Sequence, residues 1–373
     1  MEKNEILVTY GSDITKMATE LAREANLAGL IGDRKKRIGL KPNLVTNRPA
    51  SDGATTHPEI AAGLIAYLKK EGFSNIVILE GAWVGASTSE AFRVCGYNKL
   101  AEETGVQLID TKKDKTRNCD CKGLKIHICE SALSIDFMIN LPVMKGHCQT
   151  RITCALKNHK GVIPDSEKRR FHTLGLTKPI AHLNTVVRSD FILVDGICGD
   201  LDFEEGGNPL YAGRLFATRD PVLCDAWAAL QMGYALSDIP YIGLAEKLGV
   251  GSANVAGAKI RELNNIALSG SSTPSGASPS FKVRQLAEYI NENKACSSCY
   301  ASLVFALSRI SRSELALLSE KICLGQGFRG KKGHLGVGQC ASAFSMSCPG
   351  CPPSGAEIVA FLRAVFGRIG AVQ

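Results

Sequence analysis

Residues 1–268 alternate short apolar runs with amphipathic segments, and this alternation constrains the fold more than any other feature of the sequence. Residues 76–79 and 191–194 are continuous apolar runs, which predict buried strands. Residues 58–71 begin with proline and carry apolar side chains at helical spacing, which predicts a helix. Strands that alternate with helices form mostly parallel sheets. The sequence therefore predicts an α/β fold, with a mostly parallel sheet flanked by helices and a smaller Cys-rich C-terminal region.

The composition changes sharply at residues 269–280, which are all serine, glycine, proline, threonine or alanine. Such a stretch is typical of a linker or a long loop. We therefore predict an α/β domain over residues 1–268 and a separate Cys-rich iron–sulfur region over residues 281–373. Inspection of the sequence shows no internal repeat.

Charge and hydropathy narrow the class of protein. No apolar run is long enough to cross a bilayer, and the first residues lack the pattern of a secretory signal, so we expect a cytoplasmic protein without membrane association. The net charge is +8, and residues 280–373 hold eleven basic against five acidic residues. Nucleic acid would suit a basic region, but no nucleic-acid motif accompanies it. A buried anionic centre explains the positive charge better.

The chain contains fourteen cysteines, and six of them lie between Cys296 and Cys351. In a reducing compartment, clustered thiols bind metal more often than they form disulfides. Two pairs have the C-x-x-C spacing, namely Cys296 with Cys299 and Cys348 with Cys351. The tail is therefore predicted to hold a metal centre, and unliganded buried cysteines are the least favoured alternative.

The residues around these thiols favour a [4Fe–4S] cluster over zinc. Gly336 and Gly338 precede Cys340 in the sequence, and glycine allows the backbone to come close to a bulky ligand. Cys351 is followed by two prolines, and proline after a cysteine recurs in iron–sulfur ligation. A structural zinc site built from the two C-x-x-C pairs is the alternative.

A set of polar residues follows the predicted strands of the first domain, where α/β proteins place their ligand sites. Singly, each is best explained as a surface or capping residue, but together they predict a site for an anionic small molecule such as a carboxylate or a phosphate. The histidines are candidate general acids or bases, and the lysines are candidates for binding the negative charge of the small molecule. The aspartate is a candidate base or metal ligand. The set comprises Lys41, Asn43, His57, Lys145, His147, Lys157, Asn158 and Asp195.

Taken together, these segments resemble the family catalogued as domain of unknown function three-six-two, which is associated with uncharacterised iron–sulfur proteins. The likeness extends over residues 36–265 and into the cysteine segment. It implies the cluster ligands Cys296, Cys299, Cys340 and Cys351, with Cys348 as an alternative ligand. The segments that carry it are residues 41–43, 56–58, 144–147, 155–158, 160–161, 195–196 and 220–221 with Asp225.

Three functions agree with this sequence. The first is an enzyme that acts on an anionic small molecule and uses the cluster as a redox centre or Lewis acid. The second is a non-catalytic electron-transfer or cluster-carrier protein, whose partner is another redox protein. The third is a structural metal site, zinc included, that only stabilises the tail.

Overall fold

The computed structural model describes residues 1–264 and 285–370, so the predicted linker at residues 269–280 lies outside the described residues. The described chain separates into two compact units. The first contains residues up to 264 except for Arg169–Gly175, and the second contains Arg169–Gly175 together with the residues from 285 onward. The short segment that groups with the C-terminal region was not anticipated, because its few residues carry no sequence signal of their own.

The first unit is built on an eight-stranded sheet within the described residues, with the order β12-β1-β11-β10-β7-β2-β3-β4. The run from β10 through β4 is parallel, and β11 is antiparallel to both of its neighbours. Strands β5 with β6 and β8 with β9 form two small hairpins. The strands are β1 Glu5–Tyr10, β2 Ile38–Pro42, β3 Ile76–Glu80, β4 Gln107–Asp110, β5 Thr116–Asp120, β6 Lys125–Cys129, β7 Phe137–Leu141, β8 Lys145–His147, β9 Arg151–Thr153, β10 Phe191–Asp200, β11 Pro209–Thr218 and β12 Lys259–Glu262.

Successive residues of a strand point to opposite faces of the sheet, and apolar side chains point to both faces of this one. Helices cover both faces and bury these side chains. In β10, Leu193 packs into one hydrophobic cluster, while Ile192 and Val194 pack into another. The predicted α/β fold with a mostly parallel sheet is confirmed. The helices of this part of the chain are α1 Ile14–Glu24, α2 Leu27–Ile31, α3 Pro58–Lys70, α4 Thr88–Val94, α5 Tyr97–Thr104, α6 Glu130–Leu133, α7 Ala155–Asn158, α8 Asp165–Thr173, α9 Thr177–Leu183, α10 Pro221–Gln231 and α11 Pro240–Lys247.

Strand β10 is longer than the sequence suggested. The apolar run ends at Val194, but the strand continues to Asp200 because β11 pairs with it along its whole length. Asp195 therefore lies inside the strand rather than at its end. An isolated parallel bridge joins Asp195 to Val143, just after β7. The Asp195 carboxylate is buried and accepts hydrogen bonds from backbone N–H groups of the protein.

The second unit contains a parallel four-stranded sheet of very short strands in the order β13-β14-β15-β16. Two of these strands end in the same way, as Leu324-Gly325-Gln326 and Val337-Gly338-Gln339, and both glycines have positive φ. The sheet thus contains a local repeat that sequence inspection missed, because the repeated unit is only three residues long. The elements are β13 Ile290–Glu292, β14 Ile322–Leu324, β15 Leu335–Val337, β16 Met346–Cys348, α12 Ser297–Leu307, α13 Arg312–Leu315 and α14 Gly355–Gly370.

Candidate functional sites

The carboxyl ends of β2, β3 and β7 lie side by side at one edge of the first unit's sheet, next to the middle of β10, because these four strands are adjacent and parallel. Lys41 is near the end of β2, Glu80 is the last residue of β3, and Asp195 lies in β10. Strand order therefore brings together polar residues that are more than a hundred positions apart in the chain.

Lys41 forms a buried ion pair with Glu80. The Lys41 Nζ lies 2.7 Å from Glu80 Oε2 and donates to the carbonyl of Pro42 at 2.6 Å. The same carboxylate oxygen accepts the backbone N–H of Leu44 at 2.9 Å. Both side chains are almost wholly buried, and burial lowers the pKa of Lys41 while the Glu80 carboxylate opposes this effect. The Lys41 charge is thus balanced by protein groups.

The two predicted asparagines are also engaged by the protein. The backbone N–H of Asn43 donates to the hydroxyl of Thr56 at 2.8 Å. The side-chain amide of Asn158 donates to the carbonyl of Lys41 at 3.1 Å and to Asn140 Oδ1 at 2.7 Å. The Asn158 bonds tie helix α7 to strands β2 and β7, and the Asn43 bond ties the loop after β2 to Thr56, so both asparagines stabilise the strand-end edge.

His57 precedes helix α3 and pairs with Asp195. The Oδ2 atom of Asp195 accepts both the backbone N–H and Nδ1 of His57, each at 2.8 Å. Burial alone would lower the pKa of His57, but the charge of Asp195 and the hydrogen bond to it outweigh burial and raise this pKa to about 10. At neutral pH the ring is therefore an imidazolium, which suits donation to an anion better than service as a base.

The His57–Asp195 pair predicts a specific pH dependence of stability. The folded-state pKa of His57 lies above its unfolded value of about 6.5, so the stabilisation is complete below about pH 6.5 and declines as the pH rises toward the folded value. We expect the free energy of unfolding lost in Asp195→Asn to shrink over this range. Urea unfolding of both proteins at several pH values measures the difference, and a pH-independent difference would contradict the assignment.

Lys145 and His147 gather around Glu204. The Nζ atom of Lys145 donates to the backbone carbonyls of Ala54 and Glu204, the latter at 2.6 Å. The Nε2 atom of His147 lies 3.2 Å from Glu204 Oε1, and Oε2 accepts the N–H of Cys148 at 3.0 Å. Burial lowers the pKa of Lys145 to about 8, with Glu204 acting against it. Glu204 thus contacts both basic residues of β8, Lys145 through its backbone carbonyl and His147 through its carboxylate.

Lys157, on helix α7, is held less firmly than the other lysines. In the described part of the chain, the hydrogen bond of its Nζ is to the hydroxyl of Thr153, at 3.2 Å. Burial lowers the pKa of Lys157 to about 7; Glu204 opposes this shift and the charge of Lys145 contributes to it. Lys157 therefore changes charge near neutral pH, as a proton-transfer or anion-binding group would.

Glu204 and Glu80 were absent from the set predicted from sequence. Glu204 lies in a loop after β10, within a segment that contains four acidic residues between positions 200 and 205. That segment begins at the last residue of β10, and such a cluster of acidic residues at a strand end is a usable signal for a functional loop. The contact of Glu204 with His147 could not be predicted from the sequence, because only the tertiary fold brings strand β8 next to the loop that carries Glu204.

The second unit contains a pocket lined by four of its cysteines. Cys296 directly precedes helix α12, and Cys299 lies in the first turn of that helix. Cys340 lies in the 3₁₀ turn that follows β15, and Cys351 follows β16. Burial and the negative charges of the other three thiols raise the pKa of Cys299. The four cysteines that line the pocket are Cys296, Cys299, Cys340 and Cys351.

Two side chains donate toward the sulfurs of this pocket. The amide of Gln326 lies 3.7 Å from the sulfur of Cys296, and the guanidinium of Arg329 lies 3.6 Å from the sulfur of Cys340. Hydrogen-bond donors and positive charge next to sulfur ligands stabilise thiolates and tune a bound metal. Neither residue was among those predicted from the sequence.

The two predicted glycines have different surroundings. Gly338 lines the pocket with a φ of +89°, and a Cβ there would stand 3.6 Å from the sulfur of Cys299. Gly336 instead allows close packing, since a Cβ there would meet the Cβ of Ala341 at 2.7 Å. Cys348 ends β16, is buried, and is not among the described residues that line the pocket.

These features define an α/β protein with buried ion pairs at its strand ends and a separate Cys-rich unit. The chain belongs to the family described as domain of unknown function (DUF362), which matches residues 38–230, and the predicted family is confirmed. It is similar to the thylakoid-associated protein sll1697 of Synechocystis sp., with 24% identity over 226 residues, 57% of this chain and 68% of that protein.

Among solved structures, the lactate racemase apoprotein from Thermoanaerobacterium thermosaccharolyticum is similar to this chain with a TM-score of 0.37 and 13% identity. The similarity covers 59% of this chain and 55% of the racemase chain, so it spans little more than half of that protein's length. Within the residues that the structure describes, every helix is too short or too polar to cross a membrane.

Proposed function

We propose that the protein binds one [4Fe–4S] cluster in the pocket of its second unit, through Cys296, Cys299, Cys340 and Cys351. The observation that carries this proposal is that three separate chain segments deliver their thiols to one pocket. Cubane clusters are held by four cysteine thiolates. Cys296 and Cys299 also lie at the start of an eleven-residue helix, whose positive end favours thiolates.

The surroundings of the thiols favour a cluster over zinc. A zinc site made from two C-x-x-C pairs needs Cys348, whereas the pocket is completed by Cys340 from the glycine-containing turn. Gln326 and Arg329 donate toward sulfur, as side chains around iron–sulfur clusters do. Proline follows Cys351 directly, as in several cluster motifs.

Anaerobic purification followed by iron, sulfide and zinc analysis tests the cluster. We expect a brown protein with about four irons and about four sulfides per chain. Reduction should give an electron paramagnetic resonance signal that disappears on reoxidation. A colourless protein with about one zinc and no sulfide would replace the cluster by the zinc alternative.

We further propose that the first unit is an enzyme that acts on an anionic small molecule at the strand-end edge. Lys157 supports this role, because it is a cationic group with a lowered pKa and a single described hydrogen bond. His57 adds a second charged donor, since Asp195 keeps its ring protonated. Lys41, Asn158 and Lys145 would position these groups, because their side-chain donors already bind protein atoms. Asn43 would do so through its backbone N–H, which donates to Thr56, and its Oδ1, which accepts from Val45.

Replacing Lys157 by methionine tests the anion site. We expect binding of phosphate or of small mono- and dicarboxylates, measured by NMR titration, to weaken at least tenfold, about 1.4 kcal/mol, because a buried positive charge is lost. Binding to the unaltered protein should also weaken as the pH rises through about 7, where Lys157 loses its proton.

Lys178→Met is the matched control, since this lysine lies in the same unit and its side chain is exposed. The control should bind the same anions as the unaltered protein. Equal affinity in the Lys157 and Lys178 variants, with no pH dependence near 7, would remove Lys157 from the site and leave the enzyme proposal without its main support.

A second candidate, an electron-transfer protein, is favoured by one observation. Cys351 is exposed, so a cluster bound there would have an edge near solvent, where a redox partner protein can approach. In this case the Lys157→Met variant would retain the cluster and would transfer electrons at the same rate as the unaltered protein. The strand-end edge would bind no small anion.

A further inference from the structure

Three further ligand atoms meet inside the first unit, apart from the strand-end set. Cys154 directly precedes helix α7, and Cys224 and Asp225 are neighbours on helix α10. All three side chains have no exposed surface. Two buried thiols are ordinary in a hydrophobic core, but a buried carboxylate beside them calls for a compensating group.

The distances within this cluster fit a bound metal ion. The two sulfurs are 3.7 Å apart, and one ligand atom from each of the three residues lies within 4.8 Å of the others. Two thiolates on a tetrahedral zinc ion, each bonded at about 2.3 Å, stand about 3.8 Å apart. A disulfide would need about 2.05 Å. The spacing of Cys154 and Cys224 therefore matches metal ligands as it stands.

One carboxylate oxygen of the cluster lacks a hydrogen bond. Asp225 Oδ1 accepts the backbone N–H of Leu156 at 3.3 Å, but Oδ2 has no hydrogen-bond partner among the described residues. The hydroxyl of Tyr241 lies close to the Asp225 carboxylate. A bound cation would give this buried carboxylate oxygen a partner.

We propose that Cys154, Cys224 and Asp225 bind a zinc ion in the interior of the first unit, with the Tyr241 hydroxyl directed at the same space. Zinc accepts mixed sulfur and oxygen ligands in tetrahedral geometry, whereas magnesium and calcium do not bind thiolates. Binding releases the two thiol protons. The two thiolates and the carboxylate then carry three negative charges, which neutralise the two positive charges of the ion and leave a net charge of −1 on the site.

The ion would link helix α7 to helix α10. Helix α7 also carries Lys157 and Asn158, which face the strand-end edge. The zinc ion would therefore be structural, and it would fix the helix from which the candidate anion-binding lysine projects. This role does not depend on the cluster in the second unit or on the proposed enzyme activity.

Metal analysis of the full-length chain tests this site. We expect about one zinc per chain in addition to the iron, and a fall of at least about tenfold in zinc affinity in Cys224→Ser and in Asp225→Asn. Cys95→Ser is the matched control, because Cys95 is a buried thiol of the same unit outside the cluster. It should retain its zinc.

Cobalt gives a readout that does not depend on those variants folding. In a chain carrying Cys296→Ala, Cys299→Ala, Cys340→Ala, Cys348→Ala and Cys351→Ala, which removes the pocket thiols and the alternative ligand of the tail, added cobalt should still give thiolate charge-transfer absorption and tetrahedral ligand-field bands. Absence of these bands, zinc that disappears only when tail cysteines are replaced, or a Cys154–Cys224 disulfide found by mass spectrometry would each overturn the proposal.

Discussion

Cys340→Ala is expected to abolish the bound iron and sulfide of the anaerobically purified protein, whereas Cys348→Ala is expected to retain them. The two residues lie only eight positions apart, but Cys340 lines the pocket with Cys296 and Cys299, and Cys348 does not. A cubane that loses one of four thiolates becomes labile, because the exposed iron binds water and is lost. Iron and sulfide assays with visible absorption measure the result.

Cys323→Ala is a further control, because this thiol lies in the same sheet and is partly exposed without lining the pocket. It should keep the iron content of the unaltered protein. The opposite pattern, with iron lost in Cys348→Ala and kept in Cys340→Ala, would assign the fourth ligand to Cys348. It would also mean that the pocket as described is not the cluster site.

Glu80→Gln is expected to destabilise the first unit by about 3–5 kcal/mol, because it leaves the Lys41 ammonium without its counter-ion. The Lys41 side chain has no exposed surface and that of Glu80 is 3% exposed, so water cannot replace the lost carboxylate. Glutamine preserves the volume, so the effect isolates the charge. Urea unfolding followed by circular dichroism measures the free energy of unfolding.

Two further variants separate the charge from other effects. Glu90→Gln removes an exposed pair with Arg93 and should leave the free energy of unfolding unchanged. The double variant Lys41→Met with Glu80→Gln removes both charges and should recover much of the loss, since the unpaired charge is then gone. If Glu80→Gln alone unfolds like the unaltered protein, the ion pair does not stabilise the strand-end edge.

Much of the first unit followed from local patterns. Continuous apolar runs indicate strands that are covered on both faces. Segments whose apolar residues recur about every 3.6 positions indicate the helices that pack against those strands. For the same reason, polar residues that follow β2 and β7 were expected at one edge of the sheet. The strands that carry Lys41 and Asp195 both pair in parallel with β7, so both residues lie toward the same end of the sheet.

The roles of individual polar residues did not follow from the sequence. Lys41 resembled a substrate-binding lysine, yet Glu80 neutralises it from the neighbouring strand. His57 was a candidate base, yet Asp195 keeps it protonated at neutral pH. Lys41 and Glu80 lie on neighbouring strands, and His57 precedes a helix while Asp195 lies on a strand, so the placement of these elements had to be known before the charge states could be judged.

By itself, the sequence determined the alternation of strands and helices, the family, and the concentration of thiols in the last quarter of the chain, because these depend on local residue spacing and residue type. Only the tertiary structure decided which side chains meet: Glu204 with His147, Cys351 rather than Cys348 at the pocket of Cys296, Cys299 and Cys340, and Cys154 with Cys224. These contacts depend on strand order and helix placement, which arise from the packing of the whole core and leave no trace in any single segment.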